Sequence, residues 1–423
     1  MTTQPEAKPA VQIQPPYAKD ALGRKPYAQN LIKLIERIPK GVIAIDGDWG
    51  VGKSWFGEQL KADLDQQGKV RTVWIDVFDA DWNDDPSMSL IASIASQLED
   101  AEADSFLQRA SPYLSKLLPA VTKAAIKAAG NYVGVDKDVL EAAADAGKSS
   151  SEIYLKKHLS DAREKKKNLD DLKKLLTDAI GDQHSKMVVF VDELDRCSPS
   201  YAIRFLERLK HLFDLDGVVY VLLWNREQVQ KAVETFYGAG SNGQMYLDKF
   251  VDYPLHLPMS QTRNDELPLT TLVNSMIGEL EGVQQMNLNN NAYLIALVAS
   301  LLKLTARETK RISFWWVMSS NRQYPILETW LLGLKVKHPN VFSGLRAGSI
   351  AAHQQAADLL KSTLIDEKID KDFVKDLIQF HTRFETGNFG DLDQNFIRKF
   401  ISPSADFKNA VSAAMRRLEL DFS

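Results

Sequence analysis

Short apolar runs rich in β-branched residues alternate with longer stretches of helical spacing through the first half of the chain. The apolar runs predict four buried strands, at 42–46, 70–78, 187–191 and 218–224. Between them, apolar residues recur every three or four positions, which predicts helices over 20–38, 55–67, 87–98 and 201–212 and one from 226. This alternation predicts an α/β fold, a three-layer sandwich with a parallel sheet between helices.

The second half of the chain shows no comparable strand pattern. Beyond about residue 260 the spacing is mostly helical, and Trp315, Trp316 and Trp330 are candidate core residues. A chain of 423 residues suits two or three domains. We predict a flexible leader without a secretory signal at 1–17, a core at 18–260 with a helical insertion at about 85–180, a helical lid at 261–340 and a helical C-terminal region at 341–423.

Within the insertion, residues 113–135 are rich in alanine and leucine. Lys116, Lys123 and Lys127 interrupt this stretch, so no apolar run is long enough to predict a membrane span. An amphipathic helix is expected instead, packed either on protein or on a membrane surface. The charge-dense stretch 152–180 predicts a helix with a solvated face.

The composition of the chain indicates the cellular compartment but does not identify a binding partner. The chain carries 52 Lys and Arg against 56 Asp and Glu, a formal net charge of -4. This net charge does not indicate a nucleic-acid partner, although it leaves room for a local basic patch that could bind one. The single cysteine, Cys197, excludes an intrachain disulfide and favours a reducing, cytoplasmic location.

A glycine-rich turn joins the first predicted strand to the next helix. It fits the pattern G-x-x-x-x-G-K-[ST] with Gly47, Asp48, Trp49, Gly50, Val51, Gly52, Lys53 and Ser54. Glycines let backbone N–H groups converge on phosphates, and the N-terminus of the following helix faces the same anion. The turn is therefore predicted to bind ATP, with Lys53 on the β- and γ-phosphates and Ser54 on Mg²⁺. Trp55, the next residue, is included among the nucleotide-binding residues.

Two carboxylates end the third predicted strand. Residues 187–191 are an uninterrupted apolar run, and Asp192 and Glu193 follow it. Ligands of open α/β sheets bind at the carboxyl ends of the strands, which is also where the phosphate-binding loop lies. We expect Asp192 to hold Mg²⁺, directly or through water, and Glu193 to polarise the attacking water.

The residues that follow Glu193 admit two interpretations. Arg196 either reaches a phosphate or pairs with Asp195, and the structural pairing is favoured. Cys197 is expected to be a small buried residue rather than a reactive thiol.

The acidic segment also carries a family resemblance. The string from Phe190 to Pro199, FVDELDRCSP, resembles the signature of the KAP family of P-loop NTPases. Other segments are similar to that family as well: the pair Trp49-Gly50, the segment DALGR at 20–24, and YLDKF at 246–250 with the following Leu257-Pro258. The resemblance covers about residues 18–320.

The resemblance implies an additional-strand P-loop ATPase. Because the family includes phage-exclusion and antiphage proteins, it also implies a role in bacterial defence with a partner protein. Many members carry paired transmembrane helices between the two motifs, whereas this chain is charged at about 105–150. The family often has Asp-Arg where Asn225 and Arg226 stand here, and Asn225 can still orient a water molecule or a γ-phosphate.

A basic helix start follows the last predicted strand. Thr305 and Glu308 form a capping box, which fixes Arg307 in the first turn of a helix. Arg307 is a candidate for stabilising the transferred phosphoryl group, either in its own subunit or from a neighbour as an arginine finger. The alternative is that Arg307 has no role in catalysis and either belongs to a solvated basic face or pairs with Glu308. Arg311, on the same face, and Arg226 are weaker candidates.

Together the motifs predict a Mg²⁺-dependent ATPase that works as a switch or assembly ATPase and self-associates. ATP is favoured over GTP because no N/T-K-x-D motif follows a suitable strand. A nucleotide-regulated scaffold on a membrane surface is one alternative, and a nucleic-acid motor is another. The sequence has no basic stripe interleaved with aromatic residues, which disfavours the motor.

Overall fold

The computed structural model divides the chain into two compact units. The sheet unit contains Ala28–Gly47 and Lys53–Leu257, and the helical unit contains Tyr17–Tyr27, Asp48–Gly52 and Pro258–Ser423. Within these bounds the structure describes residues 15–79, 81, 86–98, 100–117, 167, 170–171, 173–174, 176–178, 180, 184–212, 215–238, 240–259, 269–278, 288–318, 324–363, 370–388, 400 and 409–418.

A parallel five-stranded sheet forms the centre of the sheet unit. Its strands are β1 (Gly41–Asp46), β2 (Arg71–Asp76), β3 (Met187–Asp192), β4 (Val218–Trp224) and β5 (Tyr253–His256). They lie in the order β2-β3-β4-β1-β5, and every pairing is parallel. Every residue of β3 and β4 is buried, as expected for the central strands of a sheet covered on both faces.

The register brings the carboxyl ends of neighbouring strands level with one another. Asp76 at the end of β2 lies opposite Asp192 at the end of β3. Asp46 at the end of β1 lies opposite Trp224 at the end of β4. Residues that follow these strands therefore emerge at a single edge of the sheet, where ligands bind in open α/β folds.

Helices connect the strands. Those that precede residue 258 include Lys25–Arg37, Lys53–Gln67, Pro86–Ala95, Asp100–Leu117, Pro199–Leu212, Arg226–Tyr237 and Gly243–Leu247. The helix Lys53–Gln67 lies close to the sheet at Gly57, where an added β-carbon would meet Leu223 Cδ1 at 2.3 Å. The absence of a side chain at Gly57 is therefore what allows this close packing.

The helical unit is built on its own apolar core. Its helices include Thr270–Gly278, Leu288–Leu301, Ala306–Met318, Pro325–Lys337, Pro339–Arg346, Ile350–Lys361, Lys371–Thr386 and Ala410–Leu418. Trp316 and Trp330 are buried in this core, as predicted, and Trp315 packs half-buried against it. Leu22 belongs to the same core.

The predicted fold class is confirmed, and each of the four predicted strands agrees with the structure to within two residues. The sequence analysis did not predict β5. This strand has four residues, includes Pro254 and pairs with β1 alone. A short edge strand that contains proline carries little of the apolar signal that identified the central strands.

The first helix begins later than its apolar spacing suggested. It starts at Lys25 rather than Asp20, and turns occupy the intervening residues. Asp20 Oδ2 accepts a 2.8 Å hydrogen bond from the backbone N–H of Lys25, and Gly23 has a φ of 63°. A local side-chain bond and a left-handed residue thus hold this segment out of the helix.

The predicted insertion is described only in part. Helices Pro86–Ala95 and Asp100–Leu117 cover its first part. Residues 118–135 of the expected amphipathic helix, and most of the helix predicted over 152–180, lie outside the described residues. Among the residues that the structure describes, no helix combines the length and apolar character needed to cross a membrane. The division of the helical half at residue 340 stays a prediction.

Candidate functional site

The phosphate-binding loop lies between β1 and the helix Lys53–Gln67, as its motif requires. Gly50 and Gly52 have φ values of 84° and 92°, a region that favours glycine. The N–H of Gly47 donates to the Trp224 carbonyl at 3.2 Å, which ties the loop's start to the end of β4. The loop therefore has the backbone conformation that its glycines allow.

The other predicted loop residues differ in exposure. The N–H of Val51 donates to the Asp48 carbonyl at 3.4 Å and closes a turn. The side chain of Val51 is buried. The indole of Trp49 is exposed, and Trp55 is half-buried in the first turn of the helix.

Lys53 is a buried cation with a neighbouring group of carboxylates. Its Nζ donates to the Gly47 carbonyl at 2.7 Å. Burial lowers the pKa of Lys53, and the carboxylates of Asp195 and Asp192 oppose that shift. The lysine and the acidic strand end are thus close enough to interact, as the two motifs predicted.

Asp192 and Ser54 are in direct contact. The Ser54 hydroxyl donates a hydrogen bond to the Asp192 carboxylate, and the N–H of Glu193 donates to Asp192 Oδ1 at 2.9 Å. Burial raises the pKa of Asp192, whereas these two hydrogen bonds lower it. The structure therefore brings together the hydroxyl and the carboxylate that the sequence assigned to a metal ion.

Glu193 adopts an unusual backbone conformation. Its φ of 62° and ψ of 20° place it in the left-handed region, which non-glycine residues rarely occupy. Its carboxylate forms an ion pair with Arg196. Burial and the nearby Asp192 raise the pKa of Glu193, and Arg196 lowers it.

The ion pair corrects one expectation. The sequence analysis favoured Asp195 as the partner of Arg196, but the ion pair that forms is with Glu193. A helical i, i+3 spacing explains it, because Leu194–Arg196 forms one 3-10 turn that brings Arg196 back over Glu193. Cys197 is buried as predicted, and burial raises the pKa of its thiol, so it is not a reactive thiolate.

The sequence analysis did not identify two carboxylates near Asp192. Asp76 ends β2 at the level of Asp192 and raises the pKa of Asp192 through repulsion. Burial and repulsion from Asp192 raise the pKa of Glu58, one helical turn beyond Ser54. The strand-end rule that found Asp192 could also have found Asp76, and helical spacing from Ser54 could have indicated Glu58.

Asn225 is buried directly after β4, at the carboxyl edge of the sheet. Its Oδ1 accepts a 3.3 Å hydrogen bond from the N–H of Gln228, so the side chain caps the helix Arg226–Tyr237. The weaker candidate Arg226 forms an ion pair with Asp248. These contacts give both side chains a structural role.

The capping box at Thr305 is present as predicted. The N–H of Thr305 donates to Glu308 Oε2 at 2.7 Å, and the N–H of Glu308 donates to Thr305 Oγ1 at 3.2 Å. The N–H of Arg307 donates to the Gly50 carbonyl at 2.9 Å. This helix start therefore contacts the phosphate-binding loop through its backbone, and the side chains of Arg307 and Arg311 are exposed.

The fold and the site together define a class of protein. A parallel sheet with this strand order, a glycine-rich loop after β1 and a buried acidic residue after an apolar strand are the features of a nucleotide-binding P-loop NTPase. The profile of the KAP family P-loop domain matches residues 24–314, more than half of the chain. The chain therefore belongs to the KAP family of P-loop NTPases. No curated protein matches it in sequence.

Proposed function

We propose that this protein binds Mg-ATP and hydrolyses it. One observation carries the proposal: the hydrogen bond between Ser54 and Asp192, beside a buried Lys53, assembles the two motifs at one place. A loop for phosphates, a pair of oxygen ligands and an adjacent carboxylate are the parts that phosphoryl transfer to water requires.

The oxygens at this place suit Mg²⁺. Ser54 and Asp192 supply a hydroxyl and a carboxylate, the hard oxygen ligands that Mg²⁺ prefers, and Mg²⁺ usually completes its shell with phosphate and water. When bound, the ion would neutralise charge on the phosphates. Asp192 and Ser54 would hold it, and Lys53 would contact the β- and γ-phosphates.

Glu193 is the residue that we assign to the attacking water. It adjoins Asp192 at the end of β3, and its raised pKa makes the carboxylate a stronger base toward water. In the structure this carboxylate forms an ion pair with Arg196. We infer that the carboxylate must turn from Arg196 toward the γ-phosphate for water to be activated.

Replacement of Glu193 by Gln tests the hydrolytic assignment. We expect Glu193→Gln to bind Mg-ATP with the parent affinity and to hydrolyse it roughly 100-fold or more slowly, because the general base is lost and the phosphate contacts remain. The exposed Glu227→Gln is the matched control and keeps full turnover. Equal loss of binding and turnover in Glu193→Gln would show a structural or metal-binding role instead.

ATP is proposed over GTP because the chain has no N/T-K-x-D guanine-reading motif. The biological role that we propose is a switch or assembly ATPase in bacterial antiphage defence, on the basis of the resemblance to defence proteins. Phage challenge of cells that carry the intact gene or its Lys53→Ala form tests this role. Equal plaque counts for the two forms would contradict it.

We also propose that the protein self-associates when it binds ATP. In this proposal Arg307 contributes to hydrolysis. The helix start at Thr305 holds Arg307 against the loop through its backbone and leaves its side chain exposed. If Arg307 acts in a neighbour, a mixture of Arg307→Ala and Glu193→Gln regains turnover, whereas a contribution within one subunit gives no rescue. Sedimentation as a monomer with and without a non-hydrolysable ATP analogue would refute self-association.

A further inference from the structure

Arg24 is a buried arginine that the predicted nucleotide chemistry does not include. It stands immediately before the helix Lys25–Arg37, and its side chain is fully buried. Its Nε donates to the Pro258 carbonyl at 2.9 Å, and its Nη2 donates to the Met259 carbonyl at 3.3 Å. These two bonds fix the plane and direction of the guanidinium.

The third nitrogen of this guanidinium, Nη1, is buried and has no hydrogen-bond partner among the residues that the structure describes. It lies beside the phosphate-binding loop, because a β-carbon added to Gly52 would be 3.2 Å from it. Gly52 has a φ of 92° and directly precedes Lys53. Arg24 Nη1 is therefore a buried donor with a fixed position. It faces the loop that is predicted to bind phosphate.

The charge of Arg24 makes an unmet hydrogen-bond donor at this buried position costly. Burial lowers the pKa of Arg24 to about 10, and the nearby Asp20 opposes the shift, so the guanidinium stays charged at neutral pH. Buried charges are ordinarily paired, and an unmet donor on a buried cation destabilises the state that contains it. A bound polyanion would supply the acceptor.

We propose that Arg24 Nη1 donates a hydrogen bond to the phosphate chain of the nucleotide held by the loop Gly47–Ser54. The assignment rests on the proposed nucleotide binding and adds a residue to it. The carbonyls of Pro258 and Met259 orient the guanidinium, and Gly52 leaves room for its approach. Phosphates strongly favour arginine as a donor, because the bond is charge-assisted.

The assignment is tested by the affinity of Arg24→Gln for Mg-ATP at low and at high salt. Arg37→Gln makes the same change at the exposed end of the helix that follows Arg24 and is the matched control. We expect Arg24→Gln to weaken binding about 10- to 100-fold at low salt, with a smaller loss at high salt, because a charged hydrogen bond is removed. Arg37→Gln should bind as the parent does.

Several outcomes would overturn the assignment. Parent-like affinity of Arg24→Gln would do so directly. A loss of affinity that is the same at both salt concentrations would mean that Arg24 only positions neighbouring chain through its carbonyl bonds. Arg24→Lys keeps the positive charge and should therefore recover part of the affinity for Mg-ATP. If Arg24→Lys binds as weakly as Arg24→Gln, the assignment of Arg24 to the phosphate chain is also contradicted. If the parent protein binds no nucleotide, the proposed function itself fails, and the role of Arg24 fails with it.

Discussion

Acidic side chains collect around the ends of β2 and β3. Burial and mutual repulsion among Asp76, Asp192, Glu193 and Asp195 raise the pKa values of Asp192 and Glu193. Such a group is least favourable when no cation is present, and a bound cation would relieve the repulsion. The electrostatics thus support a site for Mg²⁺ together with phosphate.

Arg196 opposes the rise in the pKa of Glu193 that burial and Asp192 cause. Its guanidinium lowers the pKa of Glu193, so Arg196→Gln should raise that pKa further above its ordinary value. Since a general base must be deprotonated, the acid limb of the plot of kcat against pH should move to higher pH. Arg204→Gln, on the neighbouring helix Pro199–Leu212, should leave the profile unchanged. An acid limb that stays in place or moves to lower pH would show that Glu193 is not the base.

At the residue scale, the sequence predicted the groups that lie within two contiguous motifs. Lys53, Ser54, Asp192 and Glu193 carry local signatures, and the structure brings them together. Arg24 ends the segment DALGR that resembles the KAP family, but that segment gave no reason to expect a phosphate contact. Its Nη1 is seen to face the loop only when Gly52 and the chain after β5 are placed around it. Contacts between residues far apart in sequence leave no trace in local spacing.

At the element scale, close packing of the helix Lys53–Gln67 depends on Gly57. A larger side chain there would meet both Leu223 and the Trp74 ring, at 2.3 and 3.1 Å from the first added carbon. Gly57→Val should lower the free energy of unfolding by about 1–3 kcal/mol through overpacking. Gly240→Val, at a position with open space around it, is the control. Equal stabilities in urea denaturation would contradict the packing argument.

The strands and helices differ in how well the sequence predicted them. Apolar runs identified β3 and β4, which are buried throughout, and β1 and β2, which are mostly buried. The sequence analysis missed β5 because it is short and only its alternate residues are partly covered. The first helix was predicted too long, since apolar spacing continues through a turn that the Asp20 side chain and Gly23 enforce. Periodicity reports burial rather than backbone conformation.

At the scale of the whole molecule, the helical unit contains a buried pair of histidines. Trp330 Nε1–H donates to His381 Nε2 at 2.9 Å, and the Nδ1 atoms of His381 and His353 lie 3.0 Å apart. His381 therefore carries its proton on Nδ1 and donates to His353, which carries its proton on Nε2. This chain of hydrogen bonds requires that both rings are neutral.

Acid should consequently destabilise the helical unit. Burial lowers the pKa of His353 to about 4 and that of His381 to about 3, with a further lowering of the latter by His353. The unfolded chain binds these protons near pH 6.5, so stability is full above that pH and falls as the pH drops toward 4, by at most roughly 1.4 kcal/mol per pH unit for each ring.

Urea denaturation between about pH 7.5 and pH 5 measures this loss. His353→Gln should show a shallower fall of the unfolding free energy than the parent, because one ring no longer gains a proton on unfolding. The exposed His256→Gln serves as the control and should follow the parent. A fall in His353→Gln as steep as that of the parent would refute the neutral pair.

The central claim is that Gly47–Ser54 binds the phosphates of a nucleotide, and the affinity of Lys53→Ala for Mg-ATP tests it most directly. Lys53 is buried beside the loop, so its removal deletes a charge-assisted phosphate contact. Lys61→Ala, two turns further along the same helix, where the lysine pairs with Asp65, is the matched control. In a calorimetric titration, we predict that the parent and Lys61→Ala bind Mg-ATP and that Lys53→Ala gives no measurable binding. Parent-like affinity in Lys53→Ala would contradict the account.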